Sequence, residues 1–572
     1  MKPPARSISN LIGFRSFGLA SVFLLLLSFL ISLGADARPE HPPADLDENT
    51  GNSPVTQHQA LVPPARPVQG TPLNPLEANL VHPPISNNHF MYILQDERGG
   101  TVTPLSAVRV DSDLYFLGSN CLWYCAGARP VAGAPDILIL RKIEPTAQDK
   151  LGTPWQEFND CLYLPTKKAI IILDKSGDLF QYSPETSKWD VFRANGPSMG
   201  SPDPDYISFC ALGNELLLLD PERNQIWKTP GRERLSRLFP EVLPWRIKPG
   251  DIVVSDGVNI AFNDYLYVLR RQGRLTAFSG AADGKLKQEA INFHIPANFK
   301  PTRFSVSKAE KGTPVFYIVD WINNRVLRVN GRGGEVSAFL FPAQSSLRTV
   351  LPAPAGFWVV DGERFVYRRE NQASPLNSKV TPRVVDPRLA NLLFPVKGQR
   401  LPNHPGVFPG ARRLYRYGVH EGLDIFDGVA MNTPLRAALG GIVVRCDSNF
   451  VDMTAQKYNA VMDQCRREHR TSEHNEDLFR GCQVWIDQGN GVIARYAHLN
   501  RVSPALKVNQ RISRGELIGF AGVSGTGQNL PGKARYPHLH FELRIDGKYF
   551  GFGLTPQETI SLYGQVFGRD AE

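Results

Sequence analysis

At 572 residues the chain is too long for one small binding module, and roughly 150 residues per domain allows two to four folded units. Apolar residues at 42% supply core material, while 49 glycines and 46 prolines exceed the usual shares of about 7% and 5%, favouring turns over long helices. Lys plus Arg at 64 against Asp plus Glu at 55 leaves +9, a modest excess that suits an anionic polymer and does not select nucleic acid.

Residues 17–35 (FGLASVFLLLLSFLISLGA) carry no charge and follow Lys2, Arg6 and Arg15. A basic flank, an apolar run and small residues at Ala35-Asp36-Ala37 make the pattern of an export signal. The run of 19 also falls within the about 17–25 residues that span a bilayer, so residues 1–37 read as a cleaved signal or a retained inner-membrane anchor. Either reading puts the rest of the chain in the periplasm or cell envelope, where disulfides persist. Residues 38–87, rich in Pro, Asn, Gln and acidic side chains, read as a tether that buries no apolar face.

From 88 to 400, short apolar stretches recur around polar turns: LLLLDPERNQIW at 216, YLYVLRRQGRLTAF at 265, VFYIVDWINNRVLRV at 315 and FWVVDGERFVYR at 357. Their starts are 49, 50 and 42 residues apart, near the period of about 40–50 seen in propeller blades. Asp-Pro, Gln-Gly and Asn-Asn between β-branched and aromatic runs predict hairpins. The expectation is a mostly β chain whose N-terminal domain is β-propeller-like, with a β-sandwich as competitor. This region shows no convergent catalytic set, and its role would be to hold an envelope protein partner or to keep the C-terminal unit near its substrate.

The segment KGQRLPNHPGVFPGARRL marks the boundary to a second unit, 401–572. Its motifs are His420-Glu421-Gly422-Leu423-Asp424, Tyr496-Ala497-His498-Leu499, the glycine loop from Gly519 through Gly525 to Gly527, and Pro537-His538-Leu539-His540-Phe541-Glu542. On a strand, alternate residues share a face, so His538 and His540 point to one side while Leu539 and Phe541 point to the other. Two imidazoles and one carboxylate around Zn²⁺ leave a fourth position open, as in a catalytic rather than a structural centre. The glycine loop lacks the Lys-Ser or Lys-Thr of a phosphate-binding loop and reads as a turn wall near a substrate cleft.

Together these motifs resemble the lysostaphin-like, or LytM-type, zinc metallopeptidases that cut the peptide part of bacterial peptidoglycan. The resemblance covers roughly 415–560. It implies an antiparallel β-sheet metallopeptidase domain and one Zn²⁺ held by His420, Asp424 and His540, the family pattern choosing His540 over His538. It implies His498 and His538 as catalytic groups that orient the attacking, metal-activated water, shuttle its proton or stabilise the oxyanion. Tyr496, Gly525 and Gly527 are candidates for substrate contact, with packing an equal reading for Tyr496. Glu421 is a weaker competitor as ligand or base. The implied activity is endopeptidase cleavage of stem peptides or cross-links, with peptidoglycan as partner and no nucleic acid. The rival is a non-catalytic envelope protein that binds peptidoglycan or regulates an amidase.

A departure from the family lies at 446–482, where a polar, charged insertion interrupts two strands. Cys446 and Cys482 stand at its bases, where adjacent antiparallel strands predict a disulfide. Cys465 would then be the odd thiol of seven, and His469 and His474 would lie on a solvated helical insert rather than in a second metal site.

Overall fold

Apolar hairpins dominate the N-terminal half because their strands are covered on both faces. Pro314–Asp320 (PVFYIVD) is buried from Val315 onward, and the following turn carries Asn324 at φ 47°, a left-handed conformation that a short polar side chain tolerates. The computed structural model describes residues 90–567 apart from short internal stretches, the longest being 194–205 and 238–252. The expected signal or anchor and the tether lie outside the described residues. No helix among the described residues is long and apolar enough to cross a membrane.

The chain is mostly β, but the β-propeller expectation is corrected. Independent radial blades would require the first and last repeats to form separate sheets. Instead β1 (Phe90–Asp96) pairs in parallel with β2 (Ile137–Ile143) and antiparallel with β3 (Arg364–Arg369). That strand knits the two ends of the region into a single eight-stranded sheet. Among the described residues four four-stranded sheets lie between, and the inner strands Ser106–Val110, Phe158–Leu164, Ser208–Leu212, Gly257–Asn263, Pro301–Lys308 and Leu347–Ala353 neighbour one another in turn. The result is a near-closed, barrel-like ring of sheets. Regular repeat spacing reported the hairpins correctly; the pairing that β1 makes across the ends is a long-range event that spacing does not encode.

The C-terminal region is built on a seven-stranded sheet. Its strands are β4 (Leu423–Ile425), β5 (Gly441–Cys446), β6 (Val484–Gly489), β7 (Val492–Ala497), β8 (Arg511–Ile512), β9 (Leu539–Ile545) and β10 (Lys548–Tyr549). The order is β4-β9-β7-β6-β5-β8, with β10 beside β9. Between β5 and β6 the insertion forms α1 (Ala455–Glu468) and α2 (Glu473–Arg480), started by Thr454 and Ser472 hydroxyls that accept from the backbone N–H of Lys457 and Asn475. α3 (Pro556–Phe567) closes the region.

The ring and the C-terminal sheet share one apolar cluster, running from Tyr317, Trp321 and Phe357 to Leu423, Phe541 and Tyr563. Buried polar groups cross between them as well. Lys175 Nζ lies 2.9 Å from Glu157 Oε1 and donates to Tyr549 Oη at 2.8 Å. Arg348 Nη1 meets the fully buried Glu558 of α3 at 3.2 Å. Such pairs are costly to break once buried, so they hold the sheet in one position against the ring.

The predicted Cys446–Cys482 disulfide is not formed; both are free thiols. A register shift between Val443 and Arg445 sets Cys446 opposite Val484, two residues beyond Cys482. The sulfurs turn to different acceptors, Cys446 to Leu506 O at 3.6 Å and Cys482 to Asp447 O at 3.5 Å. Cys465, also free, is buried between the two insertion helices.

Candidate metal centre

β4 and β9 set Asp424 directly opposite His540. Alternation along β9 puts His538, His540 and Glu542 on one face, while Leu539, Phe541 and Leu543 are fully buried in the core on the other. His420 arrives from the turn before β4, fixed by its N–H to Ala411 O and its carbonyl accepting from Gly410 N–H, both at 2.7 Å. Gly422 lets the turn pass close, since a Cβ there would come within 2.7 Å of His540 Nε2.

His420, Asp424 and His540 therefore converge. His420 Nε2, Asp424 Oδ1 and His540 Nδ1 are each 2.9 Å from the other two. The outer nitrogens are committed elsewhere: His420 Nδ1 lies 3.2 Å from Phe408 O and His540 Nε2 3.1 Å from Glu542 Oε1. These partners accept, so both outer nitrogens carry hydrogen and the inner ones present lone pairs. Asp424 Oδ2 is taken by Arg413 Nη2 at 3.0 Å, which leaves Oδ1 for the centre. Three acceptors so close repel unless a cation or proton lies among them. Two imidazoles and a carboxylate suit one Zn²⁺, and the outer-shell partners fix each ring as they do at such sites.

Electrostatics without metal agree with this reading. Burial, and then the Arg413 charge, push His420 down to about 3, so its ring is neutral. Burial opposes the charged form of His540 too, but hydrogen bonds to Asp424 and Glu542 outweigh it and raise the group to about 9. A proton thus takes the place that a cation would hold.

His498 and His538 stand beside the cluster. His538 Nε2 is 4.0 Å from Asp424 Oδ1, its ring stacks on Phe426 with centroids 4.2 Å apart, and Nδ1 meets Tyr536 O at 3.0 Å. His498 leaves β7 in the left-handed region, at φ 60°, which a non-glycine residue adopts only when held. Its N–H donates to Arg480 O and its Nδ1 to Ser524 O, both at 2.9 Å. The His498 ring lies 4.8 Å from that of His538 and 5.4 Å from that of His540, centroid to centroid. Burial lowers the pKa of both side groups, keeping them neutral.

Other sequence candidates fall outside the centre. Tyr496 lies in the core with Phe541, its hydroxyl accepting from Ala438 N–H at 2.6 Å. The left-handed turn at His498 breaks the strand alternation that would have put the two side chains on one face. Gly525 and Gly527 face the insertion: a Cβ on Gly525 would meet Gly481 N at 2.4 Å, and one on Gly527 would meet Tyr458 Oη at 2.9 Å. Glu421 is drawn away by Arg480 at 2.6 Å and Arg544 at 2.7 Å. His474 is exposed, and His469 packs against Tyr417. Sequence reasoning assigned no role to Arg413, Arg480 or Glu542. Only Glu542 carried a signal, sitting two residues past His540 on the same strand face.

Residues 418–551 match the family model described as Peptidase family M23. Among curated proteins, the chain is similar to DD-carboxypeptidase/endopeptidase Mpg of Neisseria meningitidis serogroup B and of Neisseria gonorrhoeae, each 29% identical over 135 residues. That alignment takes in 24% of this chain and only 22% of the length of those relatives. Among solved structures, a point mutant of the catalytic domain of the prophage-encoded M23 protein EnpA from Enterococcus faecalis is 20% identical, covering 27% of this chain and 86% of that one, with a TM-score of 0.17. At the level of the family, the matched region and the His-Asp-His cluster support a catalytic zinc metallopeptidase.

Proposed function

We propose that residues 401–572 form a zinc endopeptidase that hydrolyses peptide bonds of peptidoglycan, in stem peptides or cross-links. The observation that carries the reading is the convergence of three lone pairs at 2.9 Å, with both imidazole tautomers set from behind. The substrate class is supported by the family match and by the named activity of the Neisseria relatives.

Bound zinc would supply Lewis acidity, polarising the scissile carbonyl and acidifying water. His420, His540 and Asp424 would hold it, with Arg413 keeping Asp424 to one oxygen. His498 and His538 each have Nδ1 tied to a backbone carbonyl, so Nε2 is the nitrogen left to work. Neutral at that atom, either ring accepts a proton from water on attack and returns it to the leaving amine, or donates toward the oxyanion once charged. Burial of His538 and partial burial of His498 strengthen those interactions by limiting bulk water. Export to the cell envelope, with residues 17–35 as signal or anchor, and a ring that holds the peptidase near its polymer complete the proposal.

Purified sacculi incubated with the zinc-loaded full chain test it, with His540→Ala as control. Soluble muropeptides or lost cross-links from the wild type alone are expected. No product from a protein shown to contain zinc would favour the binding or regulatory role.

A further inference from the structure

The insertion lies against the metal centre rather than hanging from the sheet. Arg480, the last residue of α2, is buried, and its Nε donates to Glu542 Oε1 while Nη2 donates to Glu421 Oε2 at 2.6 Å. Glu542 is fully buried and its Oε1 is the atom that accepts from His540 Nε2 at 3.1 Å. A continuous chain thus runs from the insertion through Arg480 and Glu542 to a metal-facing imidazole. The same residue's carbonyl accepts the N–H of His498. At its other end the insertion is pinned beside the site: the Asp452 carboxylate accepts from Gly525 N–H at 3.1 Å and from Asn529 Nδ2 at 2.6 Å.

Glu542 has other cations nearby, but they are placed less well. Arg495 Nη1 is 3.4 Å and Arg544 Nη1 3.6 Å from Oε2, the oxygen that does not touch His540. Arg495 spends its planar face on Trp485, 3.7 Å from the ring centroid. Arg480 alone among these meets the oxygen that holds His540, and its fork also keeps Glu421 away from the centre.

We propose that the insertion between Cys446 and Cys482 is a working part of the metal centre, delivering Arg480 as a positioning residue that holds Glu542 in line with His540. The inference rests on the reading of His420, Asp424 and His540 as zinc ligands. Without Arg480, the Glu542 carboxylate would turn toward Arg495 and Arg544, and His540 would lose the acceptor that sets its tautomer and orientation. Outer-shell partners of this kind are worth about 10–100-fold in metal affinity.

The test uses the full chain and measures zinc affinity by competition with a chromogenic chelator, alongside the visible spectrum of the cobalt-substituted protein. Arg480→Met and Glu542→Gln are each expected to weaken affinity by about 10–100-fold and to alter the cobalt spectrum. Arg480→Lys should restore part of the loss, since one ammonium can still reach Oε1. Because Arg480 acts through Glu542, the double variant should be no weaker than the worse single one, within about twofold. Affinity within twofold of wild type for Arg480→Met, or losses that multiply in the double variant, would overturn the proposal. Should Arg480→Met fail to fold, as judged by circular dichroism, Arg480→Lys and Glu542→Gln decide it: unchanged affinity in both refutes it. A wild type that binds zinc with this pattern yet releases nothing from sacculi would sink the hydrolase reading and leave the positioning role standing.

Discussion

Two buried aspartates, one in the ring and one in the C-terminal sheet, show how the same side chain serves opposite ends. Asp320 is met by donors: Arg325 Nε at 2.7 Å, Asn323 Nδ2 at 2.9 Å and the Lys300 N–H at 3.1 Å. Asp424 has one such donor, Arg413, on its outer oxygen, and turns the inner one toward His420 Nε2 and His540 Nδ1, rings whose other nitrogens are held by Phe408 O and Glu542. The first arrangement closes on itself around protein donors, although burial still outweighs them and raises the pKa of Asp320. The second gathers two imidazoles on one carboxylate oxygen, a donor set that could hold a cation.

Substitutions can break this contrast, beginning where the effect is greatest. His540→Ala removes one of the three ligands and is expected to abolish zinc binding and to lower muropeptide release by about 10³-fold or more, since the metal contributes several kcal/mol of charge stabilisation; metal analysis and sacculus digestion check both. Asp320→Ala should act the other way round. Leaving Arg325 buried without its partner costs about 3–5 kcal/mol in denaturant unfolding, with zinc affinity unchanged. Zinc itself should raise the melting temperature of chelator-treated protein, equivalent to about 2.7 kcal/mol at a free concentration of 100 times Kd. Asp424→Asn, which keeps shape but removes charge, should lose most of that gain.

Smaller effects sharpen the boundary between core and site. Tyr496→Phe strands the buried Ala438 N–H, so unfolding should show a loss of about 1–2 kcal/mol while turnover per folded molecule stays at the wild-type level. A large loss of turnover without loss of stability would return Tyr496 to the cleft. Reductant should leave the melting temperature unmoved, because Cys446 and Cys482 are free thiols.

Legibility differed between the two regions for a physical reason. The centre rests on local geometry: period-two alternation carried His538 and His540 to one face, and a glycine turn between His420 and Asp424 brought both into reach of β9. The hairpins of the ring were legible for the same reason, as apolar runs around turn residues. What failed depended on distant pairings. The β1 strand that joins the two ends of the ring has no mark in the repeat spacing. The register shift in β5 parted two cysteines that looked opposed, and the left-handed His498 undid the alternation that had put Tyr496 at the cleft.

By itself the sequence picked out which residues come together at the candidate centre, because ligand types and strand periodicity are written within a few positions of one another. Only the tertiary structure decided which oxygen and which nitrogen of each face the centre. Those choices are made by Phe408 O, Arg413, Glu542 and Arg480, each supplied by a different part of the chain and each effective through a hydrogen bond only a few ångströms long.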